Sequence, residues 1–233
     1  DLPARLGPDA VGALVAVAGA SRSLTRVLES DPGALELLVD LDHRPDEAAT
    51  DGATLLAWKQ RELLRIAARD LTGRDPVEVT AAALARLGAD VLAAAVGLAE
   101  ADGLAIIGMG KLGGEELNYA SDVDVLFVGE GDPDAQARDA RRILELARPC
   151  FRMDAGLRPE GRDGPLVRSV ASYAAHWRRW ALPGERQALL KARPVAGDES
   201  VGRAWADAAA EALWAQPVGA DDIRAVRDMK RRA

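Results

Sequence analysis

The chain has 233 residues, 48% of them apolar, which is room for one large domain or two small ones around a real core. A net charge of −7 makes general nucleic-acid binding a poor prior. The single cysteine, Cys150, excludes an intrachain disulfide and a cysteine-rich zinc site.

No apolar run reads as long enough to span a bilayer, and no signal peptide opens the chain. Neither nucleic acid nor membrane is therefore an expected partner, and the cytoplasm is the expected compartment. The sequence starts at Asp1 without methionine and ends in the basic, helical-looking Arg224–Arg232, so a fragment of a longer protein is expected.

Residues 1–98 read as an N-terminal helical region. Pro8–Val17, Ser21–Leu28 and Pro32–Leu41 are short apolar-periodic pieces separated by Gly and Pro. Asp42–Gly52 is polar and reads as a loop. Thr54–Leu71 carries a stripe of Leu56, Leu63, Ile66 and Ala67 and stops at Gly73, and Pro76–Leu98 is an alanine-rich helix.

The pattern changes over residues 99–170, the expected catalytic core. Leu104–Gly108 and Val123–Val128 read as strands, Lys111–Leu117 as one or two helical turns, and Pro133–Arg148 as a helix. Phe151–Leu157 is a third strand candidate, and Leu166–Arg168 reads as extended. Residues 171–233 return to helix over Ala171–Trp180, Arg186–Ala192 and Val201–Trp214, with a break at Pro217–Gly219 before a last helix. The expected class is α+β, a small mixed sheet between two helical caps.

The chemistry-bearing stretch runs from Gly108 through Gly-Lys-Leu-Gly-Gly to Ser121-Asp-Val-Asp-Val-Leu-Phe-Val128. Alternation along a strand sends Val123, Val125 and Phe127 to one face and Asp122 and Asp124 to the other. Two carboxylates held together repel unless a cation or proton sits between them, and a hard oxygen-seeking ion such as Mg²⁺ suits that site. Asp154, on the next plausible strand, supplies a third carboxylate. Asp122, Asp124 and Asp154 are thus the candidate catalytic residues and metal ligands of a nucleotidyl-transfer site.

Ser121 and the Gly110–Gly114 turn, with Gly110 and Gly113, offer hydroxyl and backbone N–H groups to a phosphate. Lys111 adds a point charge, and Arg158 a planar fork that either meets a phosphate oxygen or holds the Asp154 strand. His43, His176 and Cys150 read as structural, and the five tryptophans mostly as core.

These residues resemble the glutamine synthetase adenylyltransferase/adenylyl-removing family. The motif Gly108-Met-Gly-Lys-Leu-Gly-Gly-Glu-Glu-Leu-Asn-Tyr-Ala-Ser-Asp-Val-Asp-Val125 is similar to its signature. So are Lys59–Gly73, Asp154-Ala-Gly-Leu-Arg-Pro-Glu-Gly161, Gly164–Arg168 and Gln187–Asp198, the last matching the family's following helix. The resemblance implies a DNA polymerase beta-like nucleotidyltransferase sheet flanked by N- and C-terminal helices. It also implies Mg²⁺ or Mn²⁺, ADP or ATP, glutamine synthetase as protein substrate and the PII signalling protein as a partner.

The family carries two such domains, one adding AMP to a tyrosine from ATP and one removing it by phosphorolysis to give ADP. Glu-Leu-Asn before Ser-Asp-x-Asp is more like the adenylyl-removing, N-terminal half, so Asn118 points that way. The alternatives are the forward adenylyltransferase and a catalytically idle domain that binds nucleotide or PII.

Two departures from the family pattern stand out. The segment from Asp124 to Asp154 is short, which questions the joint at Arg148–Phe151. Gly184 precedes Glu185 where the family has Trp-Glu, which questions Trp180–Glu185.

Overall fold

The structure, a computed structural model, describes residues 2–46, 49–180, 183–215 and 219–232. Positions within three of the sequence readings therefore lie outside the described residues: 47 and 48 of the Asp42–Gly52 loop, 181 and 182 of the Trp180–Glu185 joint, and 217 and 218 of the Pro217–Gly219 break.

Three helices open the fold: α1 (Leu2–Ala20), α2 (Arg22–Ser30) and α3 (Ala34–Leu37). Gly7, at φ 70, breaks α1 ahead of Pro8. Ser21 starts α2 by accepting from Leu24 N. These helices close over α4 (Gly52–Leu71), where Val17, Leu24, Leu38 and Leu41 meet Leu64 and Ala67. Asp51 and Thr54 form a reciprocal capping box at the start of α4.

Arginine forks tie the polar sides of this layer together. Arg61 grips Asp31 at 2.5 and 2.9 Å, and Arg69 grips Asp75 at 2.7 and 2.8 Å. Glu62, only 2% exposed, is held by Arg44 at 3.1 Å and Arg65 at 2.8 Å.

α5 (Val77–Leu98) corrects one expectation. Its 22 residues are long and apolar enough, by length and composition, to cross a membrane. Alanine supplies that apolarity without bulk. Leu84, Leu87, Val91 and Leu92 lie in the main core against the sheet.

The sheet follows: β1 (Leu104–Gly108), the short α6 (Gly110–Gly113), β2 (Val123–Gly129), α7 (Pro133–Ala147), β3 (Met153–Asp154) and β4 (Val167–Arg168). Then come α8 (Val170–Trp180), α9 (Pro183–Leu189), β5 (Arg193–Gly197), α10 (Glu199–Trp214) and α11 (Ala220–Arg232). The strand order is β3-β2-β1-β5, with β1 antiparallel to both β2 and β5. β3 and β4 both run parallel to β2, pairing with different stretches of the same outer edge. The mixed α+β class read from the sequence is the class observed, and no strand precedes Leu104 among the described residues.

Two details differ from the sequence reading. The expected strand at Phe151–Leu157 pairs only at Met153–Asp154, because a loop rich in Gly and Pro (Gly156, Pro159, Gly161, Gly164, Pro165) leaves the sheet before β4 rejoins it. Second, residues 193–197, read as part of a helical block, form β5.

β2 is buried on both faces. Val123, Val125 and Phe127 join the core under α5 and α7, while Leu126 and Val128 pack against Tyr173, Trp177 and Trp205 of α8 and α10. Trp58, Trp177 and Trp205 are core residues, whereas Trp214 is 71% exposed. Cys150 is buried, and burial pushes its thiol up to about 11. His176 Nε2 lies 3.0 Å from Glu185 Oε1.

Candidate active site

The strand pairing brings two of the predicted carboxylates together. In the parallel register of β2 with β3, Asp124 stands opposite Asp154 and Val123 opposite Met153. Val123 N donates to Arg152 O at 2.9 Å, which secures that register. Asp122 is the residue just before β2, two positions from Asp124. The row Asp124–Leu126–Val128 is apolar except at its first member, so the carboxylate sits where the buried row reaches the edge of the core.

Asp124 is half-buried. Burial first, then the Asp154 and Asp122 carboxylates, push its carboxyl above the ordinary range, while Lys111 pulls it down. Lys111 is thus close enough to act on the cluster. No protein donor reaches the Asp124 carboxylate among the described residues.

The other two acids are turned to protein partners. Asp122 Oδ1 accepts from Arg152 Nε. Asp154 Oδ1 accepts from Gly156 N at 2.7 Å. Among the described residues no three His, Cys, Asp or Glu side chains are gathered tightly enough to hold a metal ion as they stand. The register does stand Asp154 opposite Asp124, with Asp122 two residues along the chain and the Asp124 carboxyl raised by burial and its acidic neighbours. Three carboxylates are hard oxygen donors, the chemistry that Mg²⁺ or Mn²⁺ would take in preference to a softer ion.

The glycine-rich turn divides by role. Met109 N donates to Asp124 O at 2.9 Å, locking the turn to β2. Gly110 has φ 52, and a Cβ there would come 3.2 Å from Asp124 Oδ2, so Gly110 lets the turn lie against the carboxylate. Gly113 faces away from the cluster. A Cβ there would fall 2.0 Å from Lys191 O, so its glycine serves the packing of the segment that leads into β5. The Gly113 and Gly114 amides are spent inside the turn, on Met109 O at 3.1 Å and Gly110 O at 3.0 Å. The phosphate role expected of Gly113 has no free amide behind it.

Ser121 closes a second small turn. Its hydroxyl accepts from Asn118 N at 3.3 Å, and Asn118 Oδ1 accepts from Ala120 N at 3.0 Å. Tyr119, in that turn, donates to Asp70 of α4 at 2.8 Å. Arg158 spends all three donor nitrogens on its own loop: Nε on Gly164 O, one amine on Ala155 O and the other on Arg162 O. Of the two roles considered for it, the geometry supports holding the loop that follows Asp154.

Sequence reasoning missed the cations around the site. Arg193 donates to Gly113 O at 3.0 Å and pairs with Glu115 at 2.9 Å, and Lys191 pairs with Glu116. Arg152 was missed as well, although its place two residues before Asp154 put it beside the carboxylates.

Comparison with known proteins follows the same residues. A model of the family described as glutamate-ammonia ligase adenylyltransferase matches residues 22–148 and 144–208. The chain is similar to a protein named bifunctional glutamine synthetase adenylyltransferase/adenylyl-removing enzyme from Streptomyces coelicolor, 42% identical over 255 residues, covering 94% of this chain and 26% of the relative. Like-named proteins of Mycobacterium avium (40% over 253 residues; 95% and 25%) and Corynebacterium glutamicum (39% over 201 residues; 76% and 19%) match as well.

The chain thus spans about a quarter of the length of the first two of these relatives. The first two alignments are longer than the chain, so those relatives carry internal residues that it lacks. The family match changes pieces at 144–148, beside the questioned Arg148–Phe151 joint. There α7 passes to β3 through a tight turn, with Cys150 N and Phe151 N both donating to Ala147 O. With the family model covering most of its length, the chain belongs to the glutamate-ammonia ligase adenylyltransferase family.

Proposed function

We propose that this chain is a nucleotidyltransferase domain of the DNA polymerase beta-like type that removes AMP from the adenylylated tyrosine of glutamine synthetase by phosphorolysis. The observation that carries the reading is the parallel register that stands Asp154 opposite Asp124, with Asp122 two residues away. The Glu116-Leu-Asn118 sequence of the turn supports removal over transfer. The relatives' shared name covers both activities.

In the proposed reaction an oxygen of inorganic phosphate attacks the phosphorus of AMP-tyrosine in line. The bond from phosphorus to the tyrosine oxygen breaks, that oxygen keeps the electron pair, and ADP is released. Bound Mg²⁺ or Mn²⁺ would supply charge neutralisation at the phosphoryl group and at the leaving oxygen. Asp122, Asp124 and Asp154 would hold the ions. Gly110 allows the turn to stand against Asp124, Lys111 contributes positive charge, and Arg158 fixes the loop behind Asp154. Ser121 shapes the turn that delivers Asp122. The reading places the domain in the cytoplasm, with PII as the regulator implied by the resemblance.

Product identity tests the direction. Adenylylated glutamine synthetase with phosphate should yield ADP, and unmodified glutamine synthetase with ATP should yield no pyrophosphate. The reverse pattern would assign the forward reaction. Neither product, together with no binding of Mn²⁺, would assign the idle regulatory role.

A further inference from the structure

Arg152 stands beside the carboxylates without a role in that scheme. Its side chain is 76% exposed, and its Nε donates to Asp122, whose own side chain is 42% exposed. Its carbonyl, held by Val123 N at 2.9 Å, keeps its backbone at the start of β2.

We propose that Arg152 is a ligand for a substrate phosphate group, parked on Asp122 until a divalent cation takes that carboxylate. The proposal rests on the reading of Asp122 as a cation ligand. An ion pair between exposed side chains is weak, so a divalent ion displaces the guanidinium at little cost. The released fork stays tethered at the rim, and its planar donor pair matches phosphate oxygens.

The neighbouring cations are placed differently. Arg158 is spent on three carbonyls, Arg193 on Gly113 and Glu115, and Lys191 on Glu116. Among the described cations around the site, Arg152 is the one whose partner is itself a candidate cation ligand. Cation binding therefore frees Arg152 at the moment a phosphate needs a counter-charge.

Calorimetry on the full chain tests this, with Mn²⁺ alone first and then ADP or inorganic phosphate at saturating Mn²⁺. Arg152→Ala should bind Mn²⁺ about two- to fivefold more tightly, because Asp122 is no longer occupied. It should bind ADP, inorganic phosphate or both about tenfold more weakly. The probe that weakens identifies whether the nucleotide or the attacking phosphate is the ligand.

Arg152→Lys keeps the charge and loses the fork. It should return Mn²⁺ affinity towards that of the unaltered chain while recovering only part of the anion affinity. Unchanged or weaker Mn²⁺ binding in a folded Arg152→Ala chain, or unchanged binding of both anions, overturns the proposal and leaves the carboxylate reading standing. That reading fails separately if Asp122→Asn and Asp124→Asn bind Mn²⁺ as well as the unaltered chain does.

Discussion

Acidic side chains are treated in opposite ways in two parts of the molecule. In the helical layer around α4 each acid that matters meets an arginine fork: Asp31 meets Arg61, Asp75 meets Arg69, and Glu62 meets both Arg44 and Arg65. Hydrogen bonds from those arginines hold the Asp31 and Asp75 carboxyls below the usual carboxylate range. At the sheet edge, burial and then the neighbouring Asp154 and Asp122 carboxylates push the Asp124 carboxyl up, against the opposing charge of Lys111. One region uses acids to hold helices together. The other leaves its central acid, Asp124, under-compensated, as the proposed cation site requires.

That contrast can be broken from either side. Asp124→Asn should lower turnover about a thousandfold or more, through loss of the charge that holds the cation, and should leave the melting temperature unchanged or raised. A lowered melting temperature would mean that Asp124 is structural. Glu62→Gln should do the reverse, costing about 3 kcal/mol of stability because two arginines lose their buried partner. Urea unfolding measures it, and a change near zero would erase the distinction between the regions.

Asp75→Asn should cost about 1–2 kcal/mol, since it removes a two-pronged charge-assisted pair. Because the folded carboxyl is depressed, that stability is complete above the ordinary aspartate value of ~3.9 and is lost as the pH falls below it. The unaltered chain should therefore lose its advantage over the variant as unfolding is followed into acid. The smallest effect is expected at the start of α4, where Asp51→Ala should lower the melting temperature slightly by removing a helix cap.

Much of this was legible in the sequence, for local reasons. A short apolar run marked β1, and the Val123–Val128 stretch marked β2. Ser21 and Gly73 marked helix ends close to where they fall. The losses have physical causes too. β5 reads Arg-Pro-Val-Ala-Gly, with one β-branched residue and a proline, and gains its strand character from pairing with β1. Gly113 looked like a phosphate-binding glycine because no sequence rule reveals that a backbone 78 positions onward will press against it. The partners of Arg152 and Arg158 were hidden for the same reason: a guanidinium's acceptors are fixed by tertiary packing, not by spacing.

The close approach of Lys191 to Gly113, and the bond from Arg193 to Gly113 O across 80 positions, also bear on the order in which the molecule is made. Until residue 197 has been synthesised, β1 has an open edge and the loop carrying Gly110 and Lys111 lacks its clamp. Such a distant contact closes late. A ribosome-bound chain can thus own all three candidate carboxylates and still lack the finished turn beside them, so the site is completed by the fifth strand rather than by the acids.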